Sequence, residues 1–99
     1  MSLYVVTAAR FDEHGEIESV LWVSANGTTR TSNEEPYPVP VDRVIEAFDH
    51  GDIVEMRFPT PGGYVSGGQL LRKVLASGYE NLREERGDAG RTLRDLPSY

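Results

Sequence analysis

Val41-Asp42-Arg43-Val44-Ile45-Glu46-Ala47-Phe48-Asp49-His50-Gly51 is the stretch on which the reading of this chain turns. Val41, Val44, Ile45 and Phe48 fall at i, i+3, i+4 and i+7, the clearest helical period in the sequence. Pro40 suits a first helical turn, Asp42 favours the positive end of the helix dipole and His50 the negative end. Gly51 fits the left-handed position that closes a helix. These residues predict one amphipathic helix whose apolar face needs a sheet to receive it.

On its N-terminal side, Leu3 to Phe11 carries apolar residues on both parities and reads as a strand buried on both faces. Asp12 to Glu16 is a polar loop with a glycine near its end, and Ile17 to Ala25 resumes as the second strand of a hairpin. Trp22 lies mid-strand among apolar neighbours and is expected to be buried. Asn26-Gly27 tolerates positive φ, and Thr28 to Thr31 favours extended backbone, so a third strand of a meander is predicted there. Ser32 to Pro40 reads as loop, since Pro36, Pro38 and Pro40 each lack an amide donor.

On its C-terminal side, Asp52 to Phe58 alternates, predicting a strand with Val54, Met56 and Phe58 inward and Glu55 and Arg57 outward. Pro59 to Gly63 ends it, and Gly62-Gly63 and Gly67-Gly68 read as a mobile loop between strands. Gln69 to Ala76 suits a helix face, whereas Ser77-Gly78 followed by Tyr79 to Glu84 suits a hairpin; periodicity leaves both open. Glu84 to Tyr99 is polar, with Leu93, Leu96 and Tyr99 as its anchors. The fold class expected is α+β: a small antiparallel sheet, meander plus C-terminal hairpin, packed against one amphipathic helix. Residues 1–99 form a single small domain, with 84–99 a partly packed C-terminal tail.

Ninety-nine residues make one ordinary domain, because either half alone would fall below the size that sustains a core. Ten Lys+Arg against sixteen Asp+Glu give a net charge of -6, which repels polyanions and acidic membranes at long range. Nine of the ten basic residues are Arg, so any anion contact would be forked and planar. The chain has no cysteine, which removes disulfides, thiolate zinc sites and cysteine nucleophiles. Met1 to Arg10 has neither a basic leader nor a long apolar run, so a cytoplasmic location is expected. Asn26-Gly27-Thr28 matches a glycosylation pattern but reads as a turn.

Candidate chemistry is sparse. Asp49, His50 and Asp52 cluster at the helix end, but Asp49 and His50 point to different faces, and dipole compensation accounts for their placing. His14, the other histidine, sits in a turn beside Asp12 and Glu13 and makes a poor metal ligand set. Ser66 lacks the glycine two residues earlier that a nucleophile elbow requires, and no Gly-Lys-Ser or Gly-Lys-Thr follows the paired glycines. The remaining candidate is a surface of Arg10, Arg57, Arg72, Lys73 and Arg83 on the polar parity of the strands, near Tyr4, Trp22 or Tyr79. Such a face could stack bases and hold phosphates. The competing reading pairs these cations with Glu55, Glu80 and Glu84 across strands.

Thr7-Ala8-Ala9-Arg10-Phe11, Gly15-Glu16-Ile17-Glu18-Ser19-Val20-Leu21-Trp22, the helix Val44 to Phe48 ending in Gly51, and Gly78, Asn81-Leu82-Arg83 and Leu93-Arg94-Asp95-Leu96-Pro97 come in an order that resembles small bacterial proteins of domain-of-unknown-function family 3892. The departures are Asn81 where the family has an aromatic residue, Thr92 where it has asparagine, and Pro38 to Pro40 where it starts the helix with serine or threonine. The resemblance favours the hairpin reading of Gln69 to Glu84 and implies no known activity. The function expected is a noncatalytic protein-interaction module, binding a protein partner or itself through a strand edge, the Pro36 to Pro40 segment or the arginine-rich tail. The alternative is a nucleic-acid-associated accessory protein that uses Arg10, Arg57, Arg72 and Arg83 with the aromatics. No enzyme activity, cofactor, metal or small-molecule ligand is expected.

Overall fold

The computed structural model describes residues 2–25, 35–87 and 90–99. The elements in chain order are β1 (Leu3–Phe11), β2 (Ile17–Ala25), β3 (Tyr37–Pro40), α1 (Val41–Asp49), β4 (Ile53–Thr60), β5 (Gly63–Val74) and β6 (Glu80–Glu84), followed by a single 3-10 turn at Leu93–Asp95. The strands form one six-stranded sheet in the order β3-β2-β1-β4-β5-β6. The α+β class holds, but the sheet is mixed. β1 and β4 run parallel, with Tyr4 opposite Val54 and Val6 opposite Met56, and every other pair is antiparallel. Parallel neighbours need a long connection, and β2, β3 and α1 supply it.

The helix forms where its period predicts. Val44, Ile45 and Ala47 are buried, with Val41 and Phe48 packed at the margin. Its end is a Schellman closure: the Gly51 amide donates to the Phe48 carbonyl at 3.0 Å and the Asp52 amide to the Ala47 carbonyl at 3.0 Å, with Gly51 at φ +78°. The sheet provides Val6, Val20, Trp22, Val54, Met56, Leu70 and Leu82 to the same core, all essentially without solvent contact. Burying a side chain of this size stabilises the fold by about 1.5–3 kcal/mol.

Three expectations need correction. The meander's third strand was expected at Thr28 to Thr31, which lies outside the described residues; the strand that pairs with β2 is Tyr37–Pro40, read from sequence as loop. Its prolines are tolerated because β3 is an edge strand, where alternate amides face away from the only partner, and Pro38 and Pro40 share one parity. The glycine-rich stretch after Gly63 is not a loop but the first half of β5. Gly67 is the extra residue of a bulge there, since Met56 pairs with Gly68 and Arg57 with Ser66. A Cβ at Gly67 would be driven into the Phe58 ring, so close packing selects glycine. Glu55, expected outward into solvent, is only 7% exposed, flanked by Val5 on β1 and Gln69 on β5, because β4 lies inside the sheet.

Gln69 to Glu84 resolves as a hairpin. Leu70 pairs with Glu84 and Val74 with Glu80, and the turn is closed by the Gly78 amide on the Leu75 carbonyl at 2.9 Å. The tail packs back as expected: Leu93 and Leu96 join the core, and the Ala9 amide donates to the Pro97 carbonyl at 2.9 Å. Thr92 and Asp95 cap the turn between them reciprocally.

Candidate interaction surface

The four arginines proposed as a surface do not assemble into one. By register, Arg10 opposite Ser19, Arg57 beside Glu55 and Arg83 opposite Leu71 lie on the sheet face away from α1. Arg72, opposite Leu82, turns to the helix side, where its guanidinium bonds the Asp49 carboxylate and, at 3.2 Å, Glu80. The bond from Asp49 is the main reason the Arg72 guanidinium is held above its ordinary pKa, with Glu80 adding to it. Arg10 donates twice to the Tyr99 carbonyl, at 2.9 and 3.1 Å, and lies over the Tyr99 ring. Arg57 pairs with Glu55 at 3.4 Å, and Lys73 with Glu16 at 3.0 Å. Arg83 is exposed, with a 3.4 Å contact to the Glu84 carbonyl. The cross-strand pairing of Arg72 with Glu80 is the competing reading realised.

The aromatics named with them are divided. Trp22 is fully buried, as expected, and stacks on Tyr4 with ring centroids 4.0 Å apart and planes 11° from parallel. Arg43 of α1, not a strand arginine, lies over both rings at 5.2 and 5.7 Å. In that cluster Trp22 is enclosed, while Tyr4 and Arg43 are half-buried over it. Tyr79 is 76% exposed, on the tip of the β5–β6 hairpin, where it lines a cleft with several carboxylates.

A cleft of about 560 Å³ opens where that hairpin tip, the β1–β2 loop and the start of α1 meet. Ile17, Val41, Leu75 and Tyr79 give it an apolar lining, and Asp12, Glu16, Glu18, Asp42 and Glu80 border it. The β1–β2 loop is held rigid by Asp12, whose carboxylate accepts the His14 amide at 2.8 Å and the Glu16 amide at 3.0 Å. The Glu16 amide above all holds the Asp12 carboxyl below its usual range. The hairpin is fastened to the loop by Asn81, which is 4% exposed: its side-chain oxygen accepts the Ile17 amide at 3.2 Å, and its nitrogen donates to the Ile17 carbonyl at 3.1 Å. One amide side chain thus imitates a strand neighbour for Ile17 and sets the separation of the two walls.

Of the bordering carboxylates, Glu16 and Glu80 are paired with Lys73 and Arg72, and Asp12 is spent on its own loop. Glu18 and Asp42 are exposed and enter no ion pair among the described residues. Asp49 and Asp52, placed in sequence as an acid cluster with His50, are engaged structurally, Asp49 with Arg72 and Asp52 with the Ser2 amide at 2.8 Å. Sequence reading missed the cleft because its residues come from three segments 12–18, 41–42 and 75–81. The one local signal was Tyr79, a large ring directly after a Ser-Gly turn.

No family model, curated protein or solved structure matches this chain.

Proposed function

We propose that this chain is a noncatalytic protein-interaction module that engages a protein partner through the cleft at the hairpin tip. The observation that carries this reading is Tyr79, 76% exposed, on the lining of a cleft of about 560 Å³ that it shares with Ile17, Val41 and Leu75. That volume lies within the ~300–1,000 Å³ of ligand-holding clefts, and exposed aromatic side chains beside such a cleft are the groups that anchor partners. The likeness to family 3892 is part of the same proposal: Leu82, Leu93 and Leu96, three residues that carry it, all lie in the core. The nucleic-acid reading is weaker, because Arg57 and Arg72 are bonded to carboxylates of this chain and Arg10 to the Tyr99 carbonyl. Among the described residues no helix is long and apolar enough to cross a membrane.

The test is affinity capture of partners from nuclease-treated host lysate, with the wild-type chain and Tyr79→Ala side by side. Protein partners that survive nuclease and are lost from Tyr79→Ala are expected. Partners that disappear with the nucleic acid would sink this reading and return attention to Arg10, Arg57 and Arg83.

A further inference from the structure

We infer that the occupant of the cleft is a basic peptide segment of the partner, an apolar residue flanked by Lys or Arg; this rests on the interaction-module reading and names its partner chemistry. The lining and the border ask for different things. Ile17, Val41 and Leu75 offer apolar contact beside the polar Ser77 and Asn81, so a ligand with no apolar group leaves those three side chains uncovered. The border carries five carboxylates and, among side chains lining the cleft, His14 as its one basic group. Two of those carboxylates are in ion pairs within the chain and Asp12 accepts two amides of its own loop, which leaves Glu18 and Asp42 as the exposed carboxylates with no partner among the described residues. The two stand on different walls, Glu18 on β2 and Asp42 in the first turn of α1.

Tyr79 supplies the third contact. Its ring is exposed at the mouth, where the methylene stem of a Lys or the plane of an Arg guanidinium can lie against it. A short segment that places one aliphatic or aromatic side chain on the apolar floor and basic side chains to either side meets all three demands at once. An acidic or neutral segment meets only the first. The net charge of -6 adds long-range attraction for the same partner.

The proposal is tested with the full chain and arrayed nonapeptides in which one Leu, Tyr or Phe is flanked by two Lys or Arg, beside matched arrays carrying Ser or Glu at the basic positions. Binding to the basic arrays alone is expected. The affinity of the best peptide should fall roughly three- to tenfold in the double variant Glu18→Gln/Asp42→Asn, the loss expected for two exposed ion pairs, and should fall with added salt. Amide resonances of Ile17, Val41 and Tyr79 should move on titration with that peptide. Equal binding of the Ser arrays, or unchanged affinity in the double variant, overturns the basic-segment inference while leaving the interaction-module reading standing. Shifts of the same three amides on addition of spermidine alone make the occupant a small polyamine and overturn it too. If no array binds and Tyr79→Ala captures the same partners as wild type, both readings fall together.

Discussion

Strand β2 joins two aromatic regions built from similar parts and used in opposite ways. At Trp22 a fully buried indole lies under half-buried Tyr4 and Arg43; at Ile17, about five residues back along the strand, the chain borders a cleft whose aromatic residue, Tyr79, stands in solvent. The first cluster keeps two buried donors without acceptors, the Trp22 indole N–H and one Arg43 amino group. Such groups oppose folding by about 1–3 kcal/mol each, so packing around the rings must outweigh them. The open region has its polar groups satisfied or wet, and its apolar side chains are the ones left over. Aromatic rings and charges alone therefore do not distinguish a core from a binding surface; which of the two groups lacks its proper surroundings does.

Five substitutions at four positions sharpen that contrast. Trp22→Ala should cost about 3–5 kcal/mol in urea unfolding, since it empties the centre of the core, whereas Trp22→Phe keeps a ring on Tyr4, removes an unpartnered donor and should cost less than half as much. If the two variants are equally destabilised, the indole N–H is not the liability described here. Asn81→Ala comes next, at about 1–3 kcal/mol, because it strands both the amide and the carbonyl of Ile17. It should also weaken peptide binding at the cleft, as the walls lose their spacer; stability loss with unaltered binding would separate the two roles.

Acid provides a smaller effect. The Asp12 carboxyl is held below its ordinary value of 3.8, so its contribution to stability is complete above that pH and is lost as pH falls through its lower folded value. Asp95, lowered chiefly by the Thr92 amide, follows the same sign in the tail. Asp12→Asn should flatten the acid limb of a stability–pH curve below about pH 4, with no change near neutrality in the slope of that curve. Tyr79→Ala should be the mildest in stability, within about 0.5 kcal/mol of wild type, while showing the largest loss of partner binding. A destabilisation of the size seen at Asn81 would mean that Tyr79 is part of the core after all.

The helix could be read from sequence because everything that makes it is local: its period, Asp42 in the first turn and Gly51 for the closing left-handed residue lie within one span. The β5–β6 hairpin was legible only from its turn, Ser77-Gly78, with the strands around it open to a helical reading. Tyr37–Pro40 was misread because prolines in a strand are tolerated only at an edge, and no local pattern says which strand is at the edge. Gly67 looked like part of a loop because the reason for it, the Phe58 ring on the neighbouring strand, is remote in sequence. The arginines shared a parity in the sequence and not a face, since Arg72 turns to the helix side while the others do not.

The sequence by itself determined the α+β class, the helix and its face, the burial of Trp22 and the anchoring of the tail by Leu93 and Leu96, because burial and helix closure follow from spacing along the chain. Only the tertiary structure decided that β1 and β4 run parallel, that Glu55 is enclosed, that Arg57, Arg72 and Lys73 pair with carboxylates of this chain and that three separated segments enclose a cleft. Those outcomes depend on strand order and register, and a pairing between Ile17 and Asn81 has no expression in the spacing of either segment.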